Sequence, residues 1–283
     1  MQETATGKPR LSWMKSDIEQ RFGFRGGRYT RVNMGLTFFL AALCTVGFYA
    51  VLYVIPASSL TAMFTDRGIT PYPTVFFGFW TAFTLLVKQR KIAFQRRPLR
   101  YPILPPDRRF VLTPYTAEEV MRLIGDNSES PKDFLLYRRI LLTLSNLRNI
   151  GRVSDVDNIL RSQADQDADA METSYTLIGG FLWAIPIFGF IGTVLGLSSA
   201  IGSFGGVLSA DAELSELIPT LKEVTGGLAT AFETTLIALV IALILQLWAT
   251  SVKKSEEEFL DECGEFCSVH IVAKLRMDYA EQN

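Results

Sequence analysis

The sequence predicts an all-α integral membrane protein with four transmembrane helices, the third and fourth of which extend into a cytoplasmic helical bundle. Composition is the first reason, because 48% of the 283 residues are hydrophobic and 20 residues are Phe. The mean hydropathy of +0.21 is high for a soluble domain. The second reason is distribution, because apolar runs of about 20 residues, enough to cross a bilayer, alternate with charged segments. A net charge of -1 therefore hides a strong local segregation of charge.

Four apolar segments are long enough to span a membrane. They are residues 33–55, 69–87, 177–201 and 226–249. The second is the weakest, because Pro71 and Pro73 crowd its start, and a buried hairpin arm is the alternative for this segment. Trp80 and the basic residues after Val87 favour a true span.

The distribution of Lys and Arg predicts the orientation of these spans. Basic residues precede the first span and follow the second and the fourth, whereas the loop between the third and fourth is acidic and includes Asp211 and Glu213. Since basic flanks stay in the cytoplasm, both termini are expected there. The predicted parts are a cytoplasmic N-terminal arm (1–32), transmembrane helices 1 and 2 (33–87), a cytoplasmic helical segment (88–176), transmembrane helices 3 and 4 (177–250) and a cytoplasmic C-terminal helix (251–283).

The third span contains residues that are unusual for a helix that only anchors a protein. Residues 186–196 read PIFGFIGTVLG and include Pro186, Gly189, Gly192, Thr193 and Gly196. The last two glycines have the small-xxx-small spacing that lets helices approach closely, and the proline can kink the helix. The threonine hydroxyl either bonds to its own backbone or contributes to a polar layer. Simple packing in an inert bundle is the alternative for the glycines.

The fourth span begins with a polar segment, TGGLATAFETTL, that holds Thr225, Thr230, Glu233, Thr234 and Thr235. At about 100° per residue Thr230, Glu233 and Thr234 share one helix face, and the depth of Thr230 and Glu233 overlaps with that of Thr193. A layer of hydroxyl and carboxyl groups between the two spans is therefore predicted. A carboxylate that faces lipid costs roughly 2.5–3.5 kcal/mol, so Glu233 should face protein or water, or stay hydrated at the outer interface.

The stretches PIFGFIGTVLGL and GGLATAFETTLIALVIAL resemble the MotA/TolQ/ExbB family of ion-channel subunits, and the four spans look like the MotA topology. The resemblance implies a homopentamer in the bacterial inner (cytoplasmic) membrane, around two copies of a single-span partner similar to MotB, TolR or ExbD. Flow of H+ or Na+, of which we expect protons, would drive rotation or force. Thr193 and Thr230 match the channel-lining threonines of the family, Pro186 matches its proline, and Thr225 stands where ExbB proteins have a glutamate.

No enzyme, cofactor or nucleic-acid partner is expected. The phosphate-binding motifs GxGxxG and GxxxxGK are missing, and no nucleophile–base pair is evident. Cys263, Cys267 and His270 share a helix face, but packing is favoured over a zinc site, so no metal is predicted. A membrane scaffold or assembly subunit without ion conduction is the alternative function. The load could be a flagellum, outer-membrane transport or integrity, gliding or defence, although the basic arm departs from flagellar members.

Overall fold

The structure is a computed structural model that describes residues 11–13, 19, 26–27, 29–56, 58–105, 110–147, 152–208 and 214–276. The described residues are 83% helical and contain no strand. Most of the basic N-terminal arm, together with Asp211 and Glu213 of the acidic loop, lies outside the described residues. The chain divides into two compact units. We call them the apolar unit (Met34–Leu86 and Tyr175–Ser251) and the polar unit (Met1–Asn33, Val87–Ser174 and Val252–Asn283).

The helices have the following bounds. They are α1 (Met34–Val54), α2 (Ser59–Thr65), α3 (Pro71–Gln95), α4 (Ala117–Asn127), α5 (Leu135–Ser145), α6 (Val153–Leu208) and α7 (Leu214–His270). Short 3-10 turns lie at Arg97–Arg100, Pro131–Asp133 and Val272–Lys274. At 1.5 Å per residue, α6 with 56 residues and α7 with 57 are each about 85 Å long. Both helices contain residues of both units.

Among the described residues, three helices are long and apolar enough to cross a membrane: Met34–Val54, Val153–Gly205 and Ile218–Lys274. They contain the predicted first, third and fourth spans. Helix α3, which contains most of the predicted second span, is not among them. Its prolines and threonines, together with the lysines of its last turns, make its most apolar stretch less hydrophobic than those of the other three.

Helix α3 packs against three other helices of the apolar unit. The indole nitrogen of Trp80 donates a hydrogen bond to the hydroxyl of Thr37 in α1 at 3.1 Å, and its ring centroid lies 4.3 Å from that of Phe181 in α6. A Cβ atom at Gly78 would lie 3.2 Å from the Ile241 side chain of α7. The buried hydroxyls of α3 donate to carbonyls four residues earlier in the helix, as seen for Thr74, Thr81 and Thr84. These threonines therefore add no unsatisfied polar group to the apolar unit.

Two buried ion pairs hold the polar unit together. Lys88 Nζ lies 3.0 Å from Glu256 Oε2, and Lys91 Nζ lies 2.6 Å from Glu19 Oε2, with all four side chains at most 4% exposed. The Thr30 hydroxyl also donates to Glu256. Burial lowers the pKa of Lys88, and the Glu256 carboxylate opposes that shift. The pairs join α3 to α7 and to the N-terminal arm.

The described part of the N-terminal arm belongs to the core of the polar unit. The ring centroid of Trp13 lies 5.5 Å from that of Phe94 and 5.7 Å from that of Phe134. Leu11 forms a short parallel backbone bridge with Ser128. The arm was predicted only as a basic cytoplasmic segment, and its packing role comes from the few apolar residues between its charges.

Replacing Glu256 with Ala should destabilise the protein strongly, because Lys88 would lose its carboxylate partner in a buried site. Removing one member of a buried pair costs about 3–5 kcal/mol, and the effect should appear as a lower thermal unfolding midpoint of the purified protein in detergent. Glu257→Ala is the matched control, since the Glu257 side chain is 50% exposed on the same helix. Equal unfolding midpoints for the two variants would contradict this account.

Candidate functional site

Helices α6 and α7 contact each other through glycines of α6. Gly189, Gly192 and Gly196 are all buried. A Cβ atom at Gly189 would lie 2.6 Å from the Cβ of Ala238, and one at Gly196 would lie 2.6 Å from the carbonyl oxygen of Gly227. Real side chains are not found at such distances, so any larger residue would push the two helices apart. The absent side chains therefore set the separation of α6 and α7.

Gly192 leaves room for two threonine hydroxyls. A Cβ atom there would lie 2.7 Å from Oγ1 of Thr70 and would overlap with Oγ1 of Thr234. Thr234 is buried and donates to the carbonyl of Thr230 at 2.8 Å. Thr70, immediately before α3, is buried, and its hydroxyl has no hydrogen-bond partner among the described residues. A small polar cluster thus lies where α3, α6 and α7 meet.

A reciprocal pair of threonines crosses the same contact. Thr193 of α6 donates to the carbonyl of Ala231 in α7 at 3.0 Å, and Thr235 of α7 donates to the carbonyl of Gly189 in α6 at 2.9 Å. The two hydroxyls also contact each other. In each helix the accepting carbonyl comes four residues before the threonine, so the two halves of the arrangement are equivalent. Both threonines are only half-buried, which puts their hydroxyls at the edge of the helix contact.

Two of the predicted ion-pathway threonines, Thr230 and Thr225, do not contact Thr193. Thr230 donates to the carbonyl of Gly226 at 3.0 Å in its own helix. Thr225 is exposed and donates to a carbonyl three residues earlier at 2.9 Å. The hydroxyl that pairs with Thr193 is that of Thr235, which the predicted site did not include. Two residues five positions apart point in directions that differ by about 140° around the helix axis, so Thr230 and Thr235 cannot both face α6.

Glu233 forms an ion pair with Arg67, a residue of the segment between α2 and α3. Arg67 Nε lies 2.7 Å from Oε2, and Nη2 lies 3.1 Å from Oε1. The side chains are 24% and 27% exposed. This two-bond geometry neutralises the carboxylate and ties the α2–α3 segment to α7. Sequence reasoning did not assign Arg67 a role, because nothing in its local sequence points to a residue so far along the chain.

The remaining predicted residues lie within α6 and α7. Helix α6 continues through Pro186 without interruption. Cys263 and Cys267 are buried, and burial raises the pKa of Cys267 to about 11. The His270 ring stacks on Phe266 with centroids 4.2 Å apart. Among the described residues, no group of three His, Cys, Asp or Glu side chains is arranged to hold a metal ion.

Long apolar helices, packed through glycines and carrying hydroxyls at their contact, define a helical membrane protein with a polar site between two of its helices. Residues 128–264 match the MotA/TolQ/ExbB proton channel family, which confirms the predicted resemblance over that segment. The matched segment contains the whole contact between α6 and α7 described above. The family is one of channels and not of enzymes. No curated protein and no solved structure matches the chain.

Replacing Gly196 with Ala should weaken the contact between α6 and α7. The new methyl group would meet backbone atoms of Gly227 and Ala231, which cannot rotate away as a side chain can. Overpacking of this kind typically costs about 1–3 kcal/mol, and we expect a lower unfolding midpoint and less assembled complex in mild detergent.

Gly202→Ala is the matched control for this substitution. It lies on the same helix, and a Cβ atom there would have nothing within 4 Å. Since Ala favours helix over Gly, this variant should be neutral or slightly stabilising. A Gly196→Ala protein as stable and as well assembled as Gly202→Ala would show that the helices are not in tight contact.

Proposed function

We propose that the chain is a channel subunit of the bacterial inner membrane that conducts ions past Thr193 and Thr235 and uses their flow to drive rotation or force in a partner. The single observation that carries the proposal is the reciprocal hydroxyl pair at the half-buried edge of the α6–α7 contact. A hydroxyl both donates and accepts hydrogen bonds, so the pair can hold a water for proton transfer or offer oxygens to Na+. Protons are the proposed ion.

We propose that α3 is the additional span, which gives four transmembrane helices in the MotA-like order. Its contacts with α1, α6 and α7 inside the apolar unit support this, because a helix surrounded by other helices needs less apolar surface than one facing lipid. The limits of the apolar unit support it as well, since they leave Lys88, Lys91 and the other basic flanks in the polar unit. In the proposed orientation the polar unit and both termini are cytoplasmic.

The proposed assembly is a homopentamer around two copies of a single-span protein similar to MotB, TolR or ExbD. Exposed apolar side chains on both long helices support an environment of lipid and other subunits. Examples are Phe190, which is 65% exposed, Phe232 at 67%, and Leu243 at 61%. Single exposed apolar residues are ordinary, but a continuous series along two helices is typical of membrane or subunit contact.

A scaffold without ion conduction is the second candidate. One observation favours it: the hydroxyls of Thr193 and Thr235 each have a backbone acceptor across the contact, as a purely structural role requires. In that case the pair would serve only to join two helices, in the way that interhelical hydrogen bonds stabilise other membrane bundles.

Thr193→Val and Thr235→Val should each reduce ion flux to near background while leaving the complex assembled. Valine keeps the shape of threonine and removes the hydroxyl. The measurement is proton uptake by liposomes that contain the purified complex with its partner, under an imposed gradient. Thr230→Val is the matched control, because the Thr230 hydroxyl bonds within its own helix, and it should retain most of the flux. Unchanged flux in both test variants would favour the scaffold.

The complex purified from its own membranes should contain five copies of this chain and two of a small single-span protein. Native mass spectrometry in mild detergent measures this composition directly. A dimer, or a complex with an unrelated protein, would contradict the proposed assembly.

A further inference from the structure

The polar unit contains a cavity of about 550 Å³ between α5, α6, α7 and the residues that precede α1. Its volume is in the range of small-molecule binding sites. Charged and amide side chains on its wall include those of Arg31, Arg138, Arg139, Gln163, Asp167 and Glu256. The cavity is distinct from the threonine pair, which belongs to the apolar unit.

Two polar atoms of the cavity wall are buried without a hydrogen-bond partner in the part of the chain that the structure describes. They are Nη2 of Arg139 and Oε1 of Gln163. Arg139 is only 3% exposed, and its Nε donates to Asp167 at 2.6 Å. A buried charged group with an unused donor is costly, so a ligand oxygen at Nη2 would recover a charge-assisted hydrogen bond.

The charges of the wall favour an anion. Both carboxylates are already engaged, Asp167 by Arg139 and Glu256 by Lys88 at 3.0 Å. Arg138 donates a hydrogen bond to the phenol oxygen of Tyr29, a neutral group, so its charge is not cancelled by that contact. The cavity therefore carries positive charge that its own acidic residues do not balance.

The positive charges near Lys88 act on its pKa in the same sense as burial does. Burial lowers the pKa of Lys88 and Glu256 opposes that change, but the positive charges of Lys91 and Arg31 lower the pKa further. Arg31 lies on the cavity wall. An anion bound in the cavity would reduce this repulsion.

We propose that the cavity binds a phosphate-bearing anion through the guanidinium groups of Arg138 and Arg139. Arginine offers two parallel N–H groups that match the spacing of phosphate oxygens, which suits this class of ligand better than a point charge does. The phosphate belongs either to the headgroup of an anionic phospholipid or to a soluble compound.

The lipid source has one additional argument. Arg31, Met171 and Glu256 line the cavity and lie within a few residues of the points where the chain passes from one unit to the other. If the apolar unit spans the membrane as proposed above, these residues are at headgroup level, where basic pockets bind anionic lipids. Only this step depends on the proposed function.

Two measurements on the full-length protein, purified from its own membranes, test the proposal. Native mass spectrometry detects phospholipid that remains bound in mild detergent. Thermal unfolding of delipidated protein, in inorganic phosphate and in chloride at equal ionic strength, detects binding of free phosphate through a raised midpoint. Retained anionic phospholipid, at one per chain, indicates the headgroup, and stabilisation by phosphate without retained lipid indicates the soluble source.

Arg138→Gln should lower the affinity for the bound anion, whichever source it has, by about tenfold, because one charge-assisted contact is lost. Arg139→Lys keeps the positive charge next to Asp167, so that the protein folds, but removes Nη2 and should also weaken binding. Arg161→Gln is the matched control, since its side chain is 75% exposed and pairs with Asp157 one turn away. The absence of both ligands from wild-type protein, or an equal loss in Arg161→Gln, would overturn the proposal whether or not the channel conducts.

Discussion

The separation of α6 and α7 determines most of what the apolar unit can do. The backbones are close because Gly189 and Gly196 have no side chains where Ala238 and Gly227 approach. At this separation a threonine hydroxyl reaches a carbonyl of the opposite helix, which happens on both sides of the contact, at Thr193 and Thr235. At a wider separation each hydroxyl would have only its own helix to bond. Close packing and the polar pair are therefore one structural feature.

Helix α7 buries one stripe of residues along its length, but the chemistry of that stripe changes. In the apolar unit the stripe consists mainly of small side chains, such as Ala231 and Ala238, which let another backbone come near. In the polar unit it continues with Glu256, Phe259 and Cys263 at spacings of three and four residues. There the Glu256 carboxylate pairs with the buried Lys88, and the fully buried Phe259 ring fills space in the core instead of bringing backbones together. The same helical spacing of buried residues therefore supports close backbone packing in the apolar unit and side-chain packing in the polar unit.

Local sequence patterns predicted much of this fold. The contacts that could not be predicted are those between residues far apart in the sequence. The apolar run 33–55 closely matches α1 (Met34–Val54) because hydrophobicity is a local property, and the predicted resemblance to the MotA/TolQ/ExbB family is confirmed over residues 128–264. The pairing of Thr193 depends instead on the rotation of α7 about its axis, and five residues separate Thr230 from the observed partner Thr235. The contact of Arg67 with Glu233 depends on how a connecting segment folds back, which no periodicity encodes.

The ion pair between Glu233 and Arg67 helps to decide which residues belong to the proposed ion path. A carboxylate that binds and releases protons loses its negative charge in every cycle, and the two charge-assisted bonds from Arg67 oppose that loss because they depend on the charge. A threonine hydroxyl passes a proton or a water without a change in its own charge, so it does not lose its contacts in the cycle. Glu233 therefore suits a fixed clamp between the α2–α3 segment and α7, which leaves Thr193 and Thr235 as the residues of the proposed ion path.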